Sequence, residues 1–516
     1  MNYFSTAITI GRTDYIPSQF PDPEVLLSHM DYLGIDRTLV ASYGTPTLAN
    51  RELLETVKAY PDRFYPVLTL YPGMIFEHGC VDFLKEQARL GNKAFIVTTG
   101  SFRLRECERL LLELKEFHPV IFVNPNNSDA FLLQDVEEMA GKFPEAFFML
   151  GNVMWPRFGH YLDLMWRREN VGFDISWLHT RDSIEIVIEH FGVERLFFGI
   201  GYISHYGAAI GSLAHAQITQ EQREAIAHGN LEKLLGIPPL TRKLAKEPDF
   251  ADKPLWKRFK EGKKLEGVRV YDAHAHLCGP TGGGWIHCEH SQEEAIQEMA
   301  AFMDRYGVEK IIINNIRLGM KGNRDLERIA AACPGRFMGD FVYNPKFADE
   351  YSEAVMDEFF GRGFFTGFKL LASYWKIPYN DPGYVPVWEY AEKHHLPILM
   401  HTWGDVKDLT GIPEKYPHAK FIIGHSGGSN AGRLQAYELA ERSENVYFEF
   451  CGTFCSNIPW QEGIERFGNH RFVFGSDTAH HNESFELSGL LSIPLPDEVL
   501  KPILGENYIR ILADRV

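Results

Sequence analysis

Short apolar, branched runs alternate along this chain with longer stretches of helical spacing, and the alternation is played through twice. In the second half the runs are VRVYDAH (268–274), VEKIIIN (308–314), RFMGDFVY (336–343), FFTGFKLL (364–371), LPILMH (396–401), KFIIGH (420–425), NVYFEF (445–450) and RFVFGSD (471–477). Continuous apolar runs of this length read as buried parallel strands. Between them lie SQEEAIQEMAAFMDRYG, NRDLERIAAAC, DEYSEAVMDEFFG, VPVWEYAEKH and AGRLQAYELAERS, apolar on one face and charged on the other, as outer helices should be. Ser291 with Glu294 predicts a capping box, and Gly307 and Gly361 predict helix ends. Eight strands alternating with helices predict a closed β/α barrel.

The first half follows the same order, with runs at 37–42, 63–70, 93–99, 118–124, 146–152, 170–176 and 195–201. AITIGRTDY (7–15) is the weakest candidate for its eighth strand. HPVIFVNPNN stands beside HLPILMHTWG, AFFMLGN beside KFIIGHS, ERLFFGIG beside HRFVFGSD, and GNLEKLLG beside GENYIRIL. Four similar passages in one order and spacing predict an internal duplication. The fold class expected is α/β, two tandem (β/α)8 TIM-barrel-like domains at 1–240 and 266–516. The basic, polar, proline-containing stretch 241–265 reads as a linker.

Length agrees, since 516 residues at 45% apolar exceed what one core usually holds. A formal charge of −17 excludes nucleic acid as a natural partner. No run is long and apolar enough to span a membrane, and the first residues lack the pattern of a secretory leader. Seven cysteines without CxxC pairing suit a reducing compartment, and a soluble cytoplasmic protein is expected. Cys451 and Cys455 read as packing or loop residues rather than a metal pair.

The chemistry lies at the strand ends of the second half. His274 and His276 are two apart, so their side chains leave one face of a strand. His401 ends the fifth run, His425 the sixth and Asp477 the eighth. Histidine is 21 of 516 residues, so chance places it at any chosen position about 4% of the time. One such histidine is unremarkable; four at strand ends are not. Three imidazoles and a carboxylate suit one divalent cation per chain, zinc first, with manganese, iron or cobalt as alternatives. His425 reads as a further ligand or, preferably, as the residue that polarises the attacked group or handles a proton.

The repeat carries Asn124, Asn152 and Gly201 where the second half has His401, His425 and Asp477, and Gly11 to Asp14 near its start without an HxH. The first barrel is therefore expected to lack a metal centre. Lys369 and Trp403 are candidate substrate contacts, Lys369 for an acidic group. Arg317, Tyr374, Trp375 and the glycine-rich 279–285 with Trp285, His287 and His290 are candidates to shape the pocket, while Asp272, Glu449, His480 and His481 are candidates to orient ligands.

At these positions the second half resembles the amidohydrolase superfamily, in its amidohydrolase-related group of metal-dependent hydrolases and nonhydrolytic decarboxylases. DAHAH resembles the strand-one DxHxH motif, PILMHTWG the strand-five histidine, FIIGHSGG the strand-six histidine and FGSD the strand-eight aspartate. The resemblance implies metal binding by His274, His276, His401 and Asp477, with His425 catalytic beside them. The first half resembles the same fold but departs at each ligand position, leaving a supporting or dimerising role. The expected activity is hydrolysis of an amide, lactone or ester by metal-activated water, with Asp477 as proton carrier. The alternative is decarboxylation of an unsaturated or aromatic carboxylic acid. A small molecule, carboxylic acids included, is the expected partner, and a homodimer is compatible with the duplicated architecture.

Overall fold

The computed structural model describes the chain except residues 12–19, 43–45, 100–101, 125–130, 152, 154–156, 201–206, 278–290, 317–318, 453–456 and 479–480. Asn152, Gly201, Arg317, His480, Cys455, Arg12 to Asp14 and the glycine-rich 279–285 with Trp285, His287 and His290 thus lie outside the described residues. Those described fall into two compact units, one ending at Asp249 and the next beginning at Phe250.

In the first unit the strands are β1 Phe4–Ile10, β2 Arg37–Ser42, β3 Phe64–Pro66, β4 Leu68–Thr69, β5 Ala94–Thr98, β6 Val120–Asn124, β7 Phe147–Leu150, β8 Val171–Asp174 and β9 Leu196–Phe197. All neighbouring pairs are parallel. β3 and β4 are one strand broken at Val67, whose N–H still donates to Val40 at 2.8 Å. Thr6 N–H donates to Phe198 O at 2.9 Å and joins the last strand position to the first. Phe4, Leu39, Val67, Val120, Met149 and Leu231 belong to its core.

The second unit holds β10 Tyr271–His276, β11 Lys310–Asn314, β12 Phe337–Val342, β13 Phe365–Leu370, β14 Pro397–His401, β15 Lys420–Gly424 and β16 Val446–Phe448, a seven-stranded parallel sheet in sequence order. Residues 472–478 fill the eighth place. Val473 N–H donates to Phe448 O at 3.0 Å on one side, and Ala273 N–H donates to Phe474 O at 2.9 Å on the other. Each unit is a parallel α/β barrel of eight strand positions, as the alternating runs predict.

Several local expectations meet their structural counterparts. Ser291 caps helix Gln292–Tyr306 in a full capping box, and Gly307 ends that helix at φ 84°. Gly361 is instead the last helical residue, and the left-handed turn falls at Gly363, φ 80°. The stretch read as a linker is divided between the two units. Lys243 Nζ and the Leu244 and Ala245 N–H groups donate to Asp36, whereas Pro254–Phe259 is a helix that buries Leu255, Trp256 and Phe259 in the second unit. Those three apolar side chains gain more from burial than a solvated linker would allow.

The two units share one register. In both, the first pairing slips at the same place, between Ser5 and Ile8 and between Asp272 and Ala275. Thr6 N–H to Phe198 O and Ala273 N–H to Phe474 O are then equivalent bonds. Ser5 matches Asp272, Ala7 matches His274 and Thr9 matches His276. The HxH position is therefore at Ala7 and Thr9, not at the polar Gly11 to Asp14. Strand pairing likewise matches Ile96 with Lys369 and Asp174 with Glu449.

Candidate metal centre

Six strand positions bring the site together. β10 presents His274 and His276, β13 Lys369, β14 His401, β15 His425 and the stretch after β16 Glu449, with Asp477 arriving from 472–478. His274, Lys369 and Glu449 are wholly buried, and His276, His425 and Asp477 nearly so.

The ring orientations follow from fixed neighbours. Asn314 Nδ2 donates to Ala275 O at 2.9 Å, which leaves Asn314 Oδ1 facing His276 Nδ1 at 2.7 Å. An amide oxygen can only accept, so Nδ1 of His276 carries the proton. Its Nε2 then meets Asp477 Oδ1 at 2.9 Å. Two acceptors so close need a proton or a cation between them. His274 repeats the arrangement, with Nδ1 on Glu449 Oε2 at 2.8 Å, and His425 does so with Nδ1 on Cys451 O at 3.1 Å. A ring nitrogen tied to an oxygen acceptor frees the other nitrogen to bind a metal.

His274 Nε2, His276 Nε2 and Asp477 Oδ1 form a donor group in which His274 Nε2 stands 4.0 Å from Asp477 Oδ1. Nitrogen and oxygen donors at these separations suit a first-row divalent ion, so the residues fit the metal that the strand-end pattern implies. His401 lies outside that group. Its Nδ1 is 3.0 Å from Ser373 Oγ, and its ring packs on His425 at 5.0 Å, Tyr374 at 4.8 Å and Trp403 at 6.0 Å between centroids. Tyr374 and Trp403 remain about half exposed beside it. A second group, His274, His425, Glu449 and Cys451, is satisfied by its own hydrogen bonds and asks for no ion.

Lys369 was read as a substrate contact, and its Nζ lies 2.6 Å from His274 Nε2. Burial lowers its pKa, opposed by Asp477. Burial, then Lys369, holds His274 well below the usual imidazole range, and burial, then His425, does the same for His401. Burial takes His425 down to about 4. Burial alone would raise Asp477, but its hydrogen bond with His276 and the surrounding histidines hold it well below the usual carboxylate range. His274, His401 and His425 are thus held toward neutral imidazoles, and Asp477 toward the carboxylate.

Asp272 sits underneath. It accepts from His274 N–H and Ser476 N–H, both at 3.0 Å, and burial pushes its carboxyl up to about 7. His481 Nδ1 lies 3.3 Å from Glu486 Oε1, and its backbone N–H donates to Asp477 O at 3.4 Å. Asn314, Ser373 and Cys451 each meet a ring carried by the neighbouring strand, a contact that only cross-strand register reveals. Cys80, Cys107, Cys333 and Cys451 are free thiols. Among the described residues no helix is long and apolar enough to cross a membrane.

No curated protein sequence matches the chain. Similar solved structures include a 5-carboxyvanillate decarboxylase from Sphingomonas paucimobilis, at 16% identity over 48% of this chain and 99% of that one, TM-score 0.39. Another is a 2,6-dihydroxybenzoate decarboxylase from Rhizobium, with the same identity, coverages and TM-score. A probable 2-pyrone-4,6-dicarboxylic acid hydrolase from Acinetobacter baumannii is 13% identical over 48% of this chain and 100% of that one, TM-score 0.41. The sequence profile of the amidohydrolase family matches twice, over residues 6–237 and again over 271–513. With nearly the whole length matched in two successive copies, the chain belongs to the amidohydrolase family.

Proposed function

We propose that the second barrel is a metal-dependent hydrolase acting on an amide, lactone or ester of a small molecule, and that the first is a non-catalytic copy. His274, His276 and Asp477 would hold one divalent ion, zinc first and manganese, iron or cobalt next, with His401 as the fourth donor. When bound, such an ion supplies a Lewis acid that lowers the pKa of water and polarises a carbonyl.

The observation that carries the reading is the proton inventory of the pocket. Asp477 is ionised and His425 is neutral, with Nδ1 committed to Cys451 O. Both are therefore unprotonated near neutrality, which fits proton acceptors for an attacking water and fits less well the proton donation that decarboxylation needs. His425 is placed to take a proton at Nε2 rather than to donate one to a carbonyl. Asp477 would carry the proton toward the leaving group. Trp403 and Tyr374 would wall the substrate from bulk water.

One feature favours the second reading, decarboxylation of an unsaturated or aromatic acid. Lys369 is a buried amine of the pocket, and in its protonated form it would pair with a substrate carboxylate or supply the missing proton. A panel of lactones, amides, esters and unsaturated carboxylic acids, run in 18O-water on protein of measured metal content, separates the two. Label in the product supports hydrolysis. Carbon dioxide release without label replaces it by decarboxylation, and protein purified without chelator that holds no metal overturns both.

A further inference from the structure

Glu449 makes more contacts than a capping residue needs. Its Oε2 accepts from His274 Nδ1 at 2.8 Å and from His425 N–H at 3.2 Å, Cys451 Sγ lies 3.1 Å from the same oxygen, and Oε1 accepts from Cys451 N–H. Each oxygen thus takes a backbone N–H, against burial that raises the carboxyl to about 8. A carboxylate can satisfy that arrangement and a primary amide cannot, because its NH2 would meet another N–H. The backbone at His425, φ 57°, is left-handed, a conformation that costs roughly 1–2 kcal/mol for a residue with a Cβ. Glu449 holds the N–H of that strained residue.

The first barrel separates what is structural here from what is not. Asp174, at the equivalent position, accepts from Ser176 N–H at 3.0 Å, as Glu449 accepts from Cys451 N–H two residues on. That turn closure is common to both barrels. Asp174 spends its other oxygen on Thr6 Oγ1 at 3.0 Å, and Ala7 stands where His274 would be. The extra methylene of Glu449 is what reaches the imidazole.

We propose that Glu449 is a positioning residue of the metal centre, fixing His274 as the Nδ1–H tautomer with Nε2 turned toward the donor group, where Lys369 Nζ lies 2.6 Å from it, and anchoring His425 from the same carboxylate. This rests on His274 being a ligand, as proposed above. Glu449→Gln and Glu449→Asp in the full chain test it, the second keeping a carboxylate too short for the ring, as Asp174 is. Zinc affinity would be measured by competition with a chromophoric chelator, together with the cobalt absorption band and the thermal midpoint of the metal-free protein. Both variants should bind zinc about 10–100-fold more weakly, with a shifted cobalt band and a metal-free midpoint near wild type. Asp174→Asn should lower the midpoint and leave zinc affinity unchanged. Zinc affinity within twofold of wild type in either folded variant would overturn the proposal, and so would failure of both to fold, since the carboxylate would then be structural. Absence of zinc binding by wild type would instead overturn the metal reading itself.

Discussion

An imidazole has two nitrogens, and what one is tied to decides what the other can do. His276 and His274 are tied from behind by Asn314 and Glu449, so removing either ring should empty the site. His276→Ala and Asp477→Asn are expected to retain under a tenth of the wild-type metal by elemental analysis. His401→Ala, which takes away a residue outside the tight donor group, should keep the metal at reduced affinity. A metal-free His401→Ala protein would place that histidine in the essential set. Away from the site, burial lowers His29 to about 4 against an ordinary 6.5. A lowered folded-state pKa means that His29 favours the fold fully above about pH 6.5 and loses that contribution as pH falls toward 4. Denaturant unfolding of His29→Gln should therefore show a smaller stability loss between pH 6.5 and 4 than wild type, and identical slopes would refute the assignment.

At the scale of strands and helices, close approach is set by two matching glycines. A Cβ on Gly475 would stand 2.7 Å from His274 Cβ and 2.8 Å from Glu449 Cδ, and one on Gly199 would stand 2.3 Å from Thr6 Oγ1. Gly475→Ala should cost about 1–3 kcal/mol, the usual range for overpacking, read as a lowered thermal midpoint, and should also weaken zinc binding. Unchanged values in both would mean that the barrel wall yields there. The strands and ligand positions were legible because buried parallel strands are continuous apolar runs and a polar residue at their end stands out. The start of β1 was not. FSTAITI mixes small hydroxyl residues with apolar ones, so the polar Gly11 to Asp14 drew the eye while Ala7 and Thr9 hold the ligand register. The partners of each ring were also hidden, since Asn314 meets His276 only through a pairing 38 residues away in sequence.

For the whole molecule, duplication predicts a one-sided response to metal. Ligand binding stabilises only what binds it, by about 4 kcal/mol at a thousandfold excess over Kd. Zinc should slow hydrogen exchange in peptides covering 271–277, 446–452 and 472–478 and leave 4–10, 171–177 and 196–200 unchanged. Protection in 4–10, 171–177 or 196–200 would show a second site. The left-handed backbone at His425 and Asp477 adds a reason why the copies differ. At the matching positions the first half has asparagine and glycine, the residue types that tolerate such backbone best. Ligand and backbone requirement coincide at His425 and Asp477, so a glycine at either position would relieve the torsional cost while removing the chemistry.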